Sequence, residues 1–380
     1  MKKIGFAIAS GIFVASLPAI ASAQSSVTLY GIIDTGIEVV SHANAQGDRI
    51  VRQPGITGSL PSRWGLRGQE DLGNGNSVLF VLENGFNVRG GDLGQGGRLF
   101  GRQAWVGIRG PYGTISLGRQ YTMTYFALLD SDLIGPAIYG IGSLDAYLPN
   151  ARSDNSIAYV NRFGGLSIGA TWSFGRDSTG TGNSPGQGTC AGSVPGAFTQ
   201  CRQWSAMVKY DAAHFGAAIS YEEQRGGTGA AANFFDGIAP VPLTSSNDKD
   251  ARLLVNGYLK IANARIGGGW LNRKVETIAA ITPNVHSDLF YLGASYNVRP
   301  DVIAEAEVYR IVNAAQDARA TLGTLRVTYL LSKRTAVYAQ AAYLANSRNA
   351  AYSVSSGGGG TTPPKGVGQT GAMVGLRQMF

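Results

Sequence analysis

Apolar and polar residues alternate strictly along almost the whole chain, and this constrains the fold more than any other feature. Leu166, Ile168, Ala170, Trp172 and Phe174 alternate with Ser167, Gly169 and Thr171. Phe215, Ala217, Ile219 and Tyr221 alternate with Ser220 and Glu222, and Val302, Ala304, Ala306 and Val308 with Glu305 and Glu307. Side chains of an extended strand point to opposite faces in turn, so each such segment has one apolar and one polar face. Charges confined to one parity imply a wet side. Past the first 23 residues no run of 18 or more uncharged apolar residues occurs, so a transmembrane helix is not expected. No Pro-rich or charged linker divides the chain, which is long for one soluble core. The 54 glycines, 17 tyrosines and mean hydropathy of -0.01 fit half-polar strands better than a buried core. One large closed sheet follows.

The two ends say where such a sheet would reside. Lys2 and Lys3, an apolar run over 4–20 and Ala21-Ser22-Ala23 ahead of Gln24 have the layout of a secretory leader. Residues 1–23 are therefore expected to be cleaved as a signal peptide, leaving 24–380 as a single barrel domain. At the far end Ala372, Val374, Leu376 and Phe380 share one face of a strand and Met373, Gly375, Arg377 and Met379 the other. Export without an apolar helix leaves a transmembrane antiparallel β-barrel in the outer membrane as the spanning structure.

Sixteen alternating segments are expected, beginning near Val27, Arg63, Ser77, Arg98, Thr114, Arg152, Leu166, Arg202, Phe215, Arg252, Arg265, Ser287, Val302, Ala320, Thr335 and Gln369. Short connections (70–75, 110–113, 163–165, 211–214, 262–264, 298–301 and 331–334) alternate with long ones (41–62, 122–151, 175–201, 225–250 and 345–368). Short periplasmic turns and long extracellular loops are the outer-membrane arrangement. A barrel of this strand number is too wide for side chains to fill, so it would enclose water.

Several chemistries find little support. Without Lys2 and Lys3 the net charge falls from +8 to +6, and the remaining charges are scattered, which argues against nucleic acid as a partner. The three histidines, His42, His214 and His286, read as loop or turn residues with no Ser, Asp or Cys placed to form a triad. No catalytic site, metal cluster or cofactor motif is expected. Cys190 and Cys201, in a Gly/Ser/Thr-rich loop of an exported chain, are expected to form a surface disulfide.

Particular motifs carry a resemblance to the Gram-negative general diffusion porins, especially their β-proteobacterial branch. They are the opening Val27-Thr28-Leu29-Tyr30-Gly31-Ile32-Ile33-Asp34, then Ser62-Arg63-Trp64-Gly65-Leu66-Arg67-Gly68 with Glu70-Asp71-Leu72-Gly73-Asn74-Gly75. Gly101-Arg102-Gln103-Ala104-Trp105-Val106-Gly107, Leu117-Gly118-Arg119-Gln120 and Asp154-Asn155-Ser156-Ile157-Ala158-Tyr159 continue the series up to Gly375-Leu376-Arg377 and Phe380. The resemblance covers 26–380. It implies a homotrimer in outer-membrane lipid and lipopolysaccharide, whose third loop folds into the lumen and which passes small hydrophilic solutes and ions passively. A substrate-selective porin and a barrel-anchored adhesin are the alternatives. The chain departs from relatives at Gln378, where many carry His, and in lacking a Pro-Glu-Phe-Gly-Gly run in the third loop.

A narrow pore works by size and field, so its chemistry should be opposed rows of fixed charge. Arg63, Arg102 and Arg152 each open a strand after a long loop, or nearly so, and are read on the parity opposite the apolar face. Through the resemblance they match the arginine cluster of the constriction. Asp130, Asp132 and Asp145 of the third loop are the expected acidic side. Arg119 falls on the outward parity of Ile115 and Leu117, which places it near a rim or in a subunit interface. The expected outcome is a weak anion preference.

Overall fold

The computed structural model describes residues 26–176, 190–278, 284–355 and 361–380; the expected leader lies outside them. Sixteen long antiparallel strands form one closed sheet. They are β1 (Ser26–Val40), β2 (Arg63–Gly73), β3 (Asn76–Gly85), β4 (Gln103–Gly110), β5 (Gly113–Tyr121), β6 (Arg152–Phe163), β7 (Leu166–Ser173) and β8 (Gln203–Asp211). The second half comprises β9 (Phe215–Arg225), β10 (Lys249–Ile261), β11 (Ala264–Glu276), β12 (Val285–Arg299), β13 (Val302–Asn313), β14 (Ala318–Leu330), β15 (Thr335–Asn346) and β16 (Gln369–Met379).

Each strand pairs with its sequence neighbour, and β1 closes the ring by pairing along its first half with β2 and along its second half with β16. Closure leaves no edge of unpaired N–H and C=O groups for lipid to desolvate. Among the described residues no helix is long and apolar enough to cross a membrane. The turns at one end are tight. Gly164, at φ +60°, supplies the left-handed residue of the two-residue turn that sets Phe163 opposite Leu166.

The strand starts expected from alternation fall within a few residues of those observed, except near Arg98. The chain there stays irregular until Gln103, with left-handed backbone at Gln95, Gly96 and Gly97. His286, read as a connection residue, is the second residue of β12. Outward residues such as Ile37, Ile108, Leu117, Leu325 and Val374 are exposed and form the apolar belt. Trp105 is on the other parity, where its Nε1 donates to Gln103 Oε1 at 3.1 Å.

The main apolar core lies inside the barrel. The third loop, residues 122–151, carries a short helix, α1 (Met123–Leu128), and turns back through the lumen. Its Met123, Leu128, Ile134, Ile138, Tyr139, Ile141 and Leu144 pack against inward Leu254, Leu271, Leu289, Ile311 and Leu322 of the wall. Each such side chain, taken from water, contributes about 1.5–3 kcal/mol. The interior is therefore wet on only part of its circumference.

Three wall glycines seat this loop: a Cβ on Gly169 would meet Met123, one on Gly267 the Ser131 carbonyl and one on Gly371 the Tyr139 ring. Gly267→Val is expected to push the loop toward the lumen axis at a cost of about 1–3 kcal/mol. Single-channel conductance should fall, and an unchanged conductance would show that the loop does not bear on this wall.

Candidate functional site: the basic wall and the inward loops

The structure brings Arg63, Arg102 and Arg152 together around one carboxylate and one phenol. Arg102 Nε donates to Glu83 Oε1 at 2.8 Å and its Nη2 to the Tyr121 hydroxyl at 2.6 Å. Arg152 Nη2 reaches the same hydroxyl at 3.1 Å, its guanidinium lies 4.7 Å from the Tyr121 ring centre, and its Nε donates to the Arg102 carbonyl at 2.9 Å. Arg63 Nε stands 3.6 Å from Glu83 Oε2, which also accepts from Tyr30 at 3.0 Å. Three guanidinium groups against one carboxylate leave a local charge of +2 (three minus one).

The three arginines are not equivalent. Arg102 and Arg152 are buried, whereas 23% of the Arg63 side chain is exposed. Arg63 is thus the guanidinium a solute can touch, while the other two act through their field from behind Tyr121. That field passes through low-dielectric protein and is weakly screened. Counting back from Ala104 and Val106, Arg102 has the outward parity, not the inward one read from the sequence. It points inward because it precedes the first ladder residue of β4, where Gly101 and Arg102 turn into the strand.

Anchors of the third loop run round the wall from β7 to β16. The Met123 N–H donates to Ser205 Oγ at 2.9 Å, and Thr122 Oγ1 to Glu222 at 2.8 Å. Leu133 and Ile134 N–H donate to Glu307 Oε2 at 2.9 and 2.7 Å, and Arg326 Nη1 to the Ile134 carbonyl at 3.0 Å. The Thr324 hydroxyl donates to the Tyr139 carbonyl at 2.6 Å.

The first loop also folds inward. Asp34 accepts the Ser59 and Leu60 N–H groups at 3.1 and 2.9 Å, and the hydroxyls of Ser59 and Tyr338 both at 2.5 Å. The Gly58 carbonyl then accepts the Ile138 N–H at 3.0 Å, which joins the two loops.

The three acidic residues of the third loop go to three separate places. Asp130 pairs with Lys209 and with Arg265 at 2.9 Å. Burial alone would raise its carboxyl, but hydrogen bonds from Lys209 and Arg265 overcome that and hold it below the ordinary carboxylate range. Asp132 is buried against the wall, accepts from Tyr309 at 2.9 Å and from the Gly135 N–H at 3.1 Å, and burial raises its carboxyl. Asp145 is buried between Arg252, at 3.2 Å, and Arg273, at 3.8 Å. These contacts hold the loop down; they do not set a row of bare carboxylates opposite the arginines.

Glu83, Tyr121, Tyr125 and Asp34 were not singled out from the sequence. Glu83 had a signal, a lone carboxylate on the parity of Leu79 and Val81. Arg119, expected at a rim or an interface, is satisfied within the chain: it pairs with Asp154 and donates to the Gly101 carbonyl at 2.6 Å. A bulge between Gly118 and Gln120 makes room for it. Cys190 and Cys201 are bonded, with Cα atoms 5.7 Å apart. Both are buried, not at the surface, in a small core with Phe234, Leu243 and Val285, because neighbouring extracellular loops fold over them.

A barrel with a basic wall and inward-folded loops matches known proteins along nearly its whole length. The family model for Gram-negative porins matches residues 7–349. An outer membrane porin protein of Bordetella pertussis is 29% identical, over 91% of this chain and 95% of its own. Outer membrane porin protein 32 of Delftia acidovorans is 30% identical over the full length of both. Among solved structures, an anion-selective porin from Comamonas acidovorans superposes with a TM-score of 0.75 at 26% identity, covering 94% of this chain and all of that one. The chain therefore belongs to the Gram-negative porin family, and its barrel is an outer-membrane channel for passive diffusion of small hydrophilic solutes.

Proposed function

We propose that the channel prefers anions and that Arg63, Arg102 and Arg152 form the basic side of its constriction. The observation that carries this reading is that the three guanidinium groups gather around Glu83 and Tyr121 with a single carboxylate among them, while each acid of the third loop is already paired with the wall. Fixed positive charge in a narrow, partly desolvated passage raises the local anion concentration. The solved relative described as anion-selective supports the same sign. In liposome-swelling assays an anionic sugar acid should enter faster than a neutral sugar of equal size, and a cationic amino sugar slower. The reverse order would contradict the reading.

Asp130 is the acid that opposes this preference most directly, since its side chain is 37% exposed. Asp130→Asn removes one negative charge, leaves Arg265 without its carboxylate partner and leaves Lys209 with Asp211 alone, at 3.5 Å. Anion selectivity should rise, and a fall would show that Lys209 and Arg265 do not face the permeation path.

The barrel works as a homotrimer whose remaining belt faces outer-membrane lipid and lipopolysaccharide. The exposed outward apolar rows support this, as does a solved outer membrane protein of Vibrio cholerae described in a trimer form, which shares the fold at 16% identity. Unboiled gel mobility tests it: a species of monomer mass at every concentration would contradict the trimer.

A further inference from the structure

We propose that the basic wall and the third loop together form a site for planar aromatic monocarboxylates, resting on the anion-preferring reading above. The first turn of α1 lays Tyr125 flat on Tyr121, with ring centres 3.7 Å apart and planes 11° from parallel. Phe126 stands edge-on to both, at 5.8 Å from Tyr125 and 6.2 Å from Tyr121. The Tyr121 hydroxyl is the one bridged by Arg102 and Arg152, and Glu83 links Arg102 to Arg63. The aromatic stack and the arginine cluster are one connected unit.

The helix rests on the wall through Met123, Ala127 and Leu128, all buried, and Phe126 packs in part against the same apolar core, whereas Tyr125 is half-buried with one face on Tyr121. A helix face turned toward water is ordinarily polar. Here it presents aromatic surface on the same connected unit as Arg63, the partly exposed guanidinium. A carboxylate on Arg63 would leave an attached ring to lie against Tyr125 and Phe126, in the offset or edge-on geometry that aromatic pairs favour. One accessible guanidinium suits one carboxylate, so a single carboxylate on the ring is enough to engage the site.

Benzoate and cyclohexanecarboxylate share charge and approximate size and differ in the π face. In planar bilayers containing the full channel, benzoate should reduce the chloride current with a half-saturating concentration about two- to tenfold lower than cyclohexanecarboxylate, as a single aromatic contact provides. Tyr125→Leu should bring the two acids together, Tyr125→Phe should keep them apart, and Arg63→Gln should weaken both alike. Equal block by the two acids in the native channel overturns the proposal, as does a benzoate preference that survives Tyr125→Leu. The zero-current potential in the same membranes reports lumen charge without the ring. An anion-preferring channel that fails to separate the two acids would therefore contradict this site alone.

Discussion

Asp145→Ala should be among the most destabilising single substitutions in this chain, at about 3–5 kcal/mol, because it removes one partner from a buried ion network. Arg252 and Arg273 are both nearly inaccessible and share two carboxylates, Asp145 and Asp250; Arg273 lies 2.8 Å from Asp250 and Arg252 lies 3.2 Å from it. With Asp145 gone, two buried guanidinium groups are left with one carboxylate, and the return limb of the third loop loses its tie to β10 and β11. Tyr147, whose N–H donates to Asp145 at 3.0 Å, loses that acceptor too. Denaturant unfolding in detergent measures the loss of stability, and single-channel recording should show a noisier open level as the limb detaches. A change under about 1 kcal/mol would mean that Asp250 alone satisfies both arginines.

Arg102→Ala should have the largest effect on selectivity of any single change in the lumen. It lowers the local charge from +2 to +1 and also releases Glu83 from its closest cation, so one carboxylate becomes available to passing cations. Glu83 keeps Tyr30 at 3.0 Å, Gln103 at 3.4 Å and Arg63 at 3.6 Å, which limits the stability cost to about 1–3 kcal/mol. The Tyr121 hydroxyl, with Arg152 as its remaining donor, should hold the stack less firmly. Arg102→Lys should restore part of the charge but not the geometry, because one ammonium cannot span Glu83 and Tyr121 as the guanidinium fork does.

The barrel was legible in the sequence because its cause is local. Period-2 alternation needs only neighbouring residues, and closure follows once every strand has an apolar face and no edge can be left in lipid. The arginine cluster was partly legible for the same reason, since Arg63 and Arg152 sit at strand starts after long loops. What alternation could not reveal depends on contacts across the barrel. Asp34 meets Ser59 25 residues away and Tyr338 304 residues away. Nothing near Asp34 announces that the first loop will fold onto it. Asp130, Asp132 and Asp145 were visible as acids in one loop, but their partners lie on β8, β10, β11 and β13, so the sequence could not say that the wall would take them up. Arg102 shows the limit most clearly: its parity was misread and its side chain still enters the lumen, because parity loses its meaning one residue outside the ladder.

The zero-current potential of the native channel under a potassium chloride gradient tests the central claim most directly. Chloride moving ahead of potassium makes the dilute side negative, and that is the predicted sign. The potential should shrink as ionic strength is raised and the Debye length falls from about 10 Å at 0.1 M to about 3 Å at 1 M. A dilute side that turns positive in the native protein would contradict the account, because three guanidinium groups gathered around Glu83 and Tyr121 would then not be what the permeating ions feel.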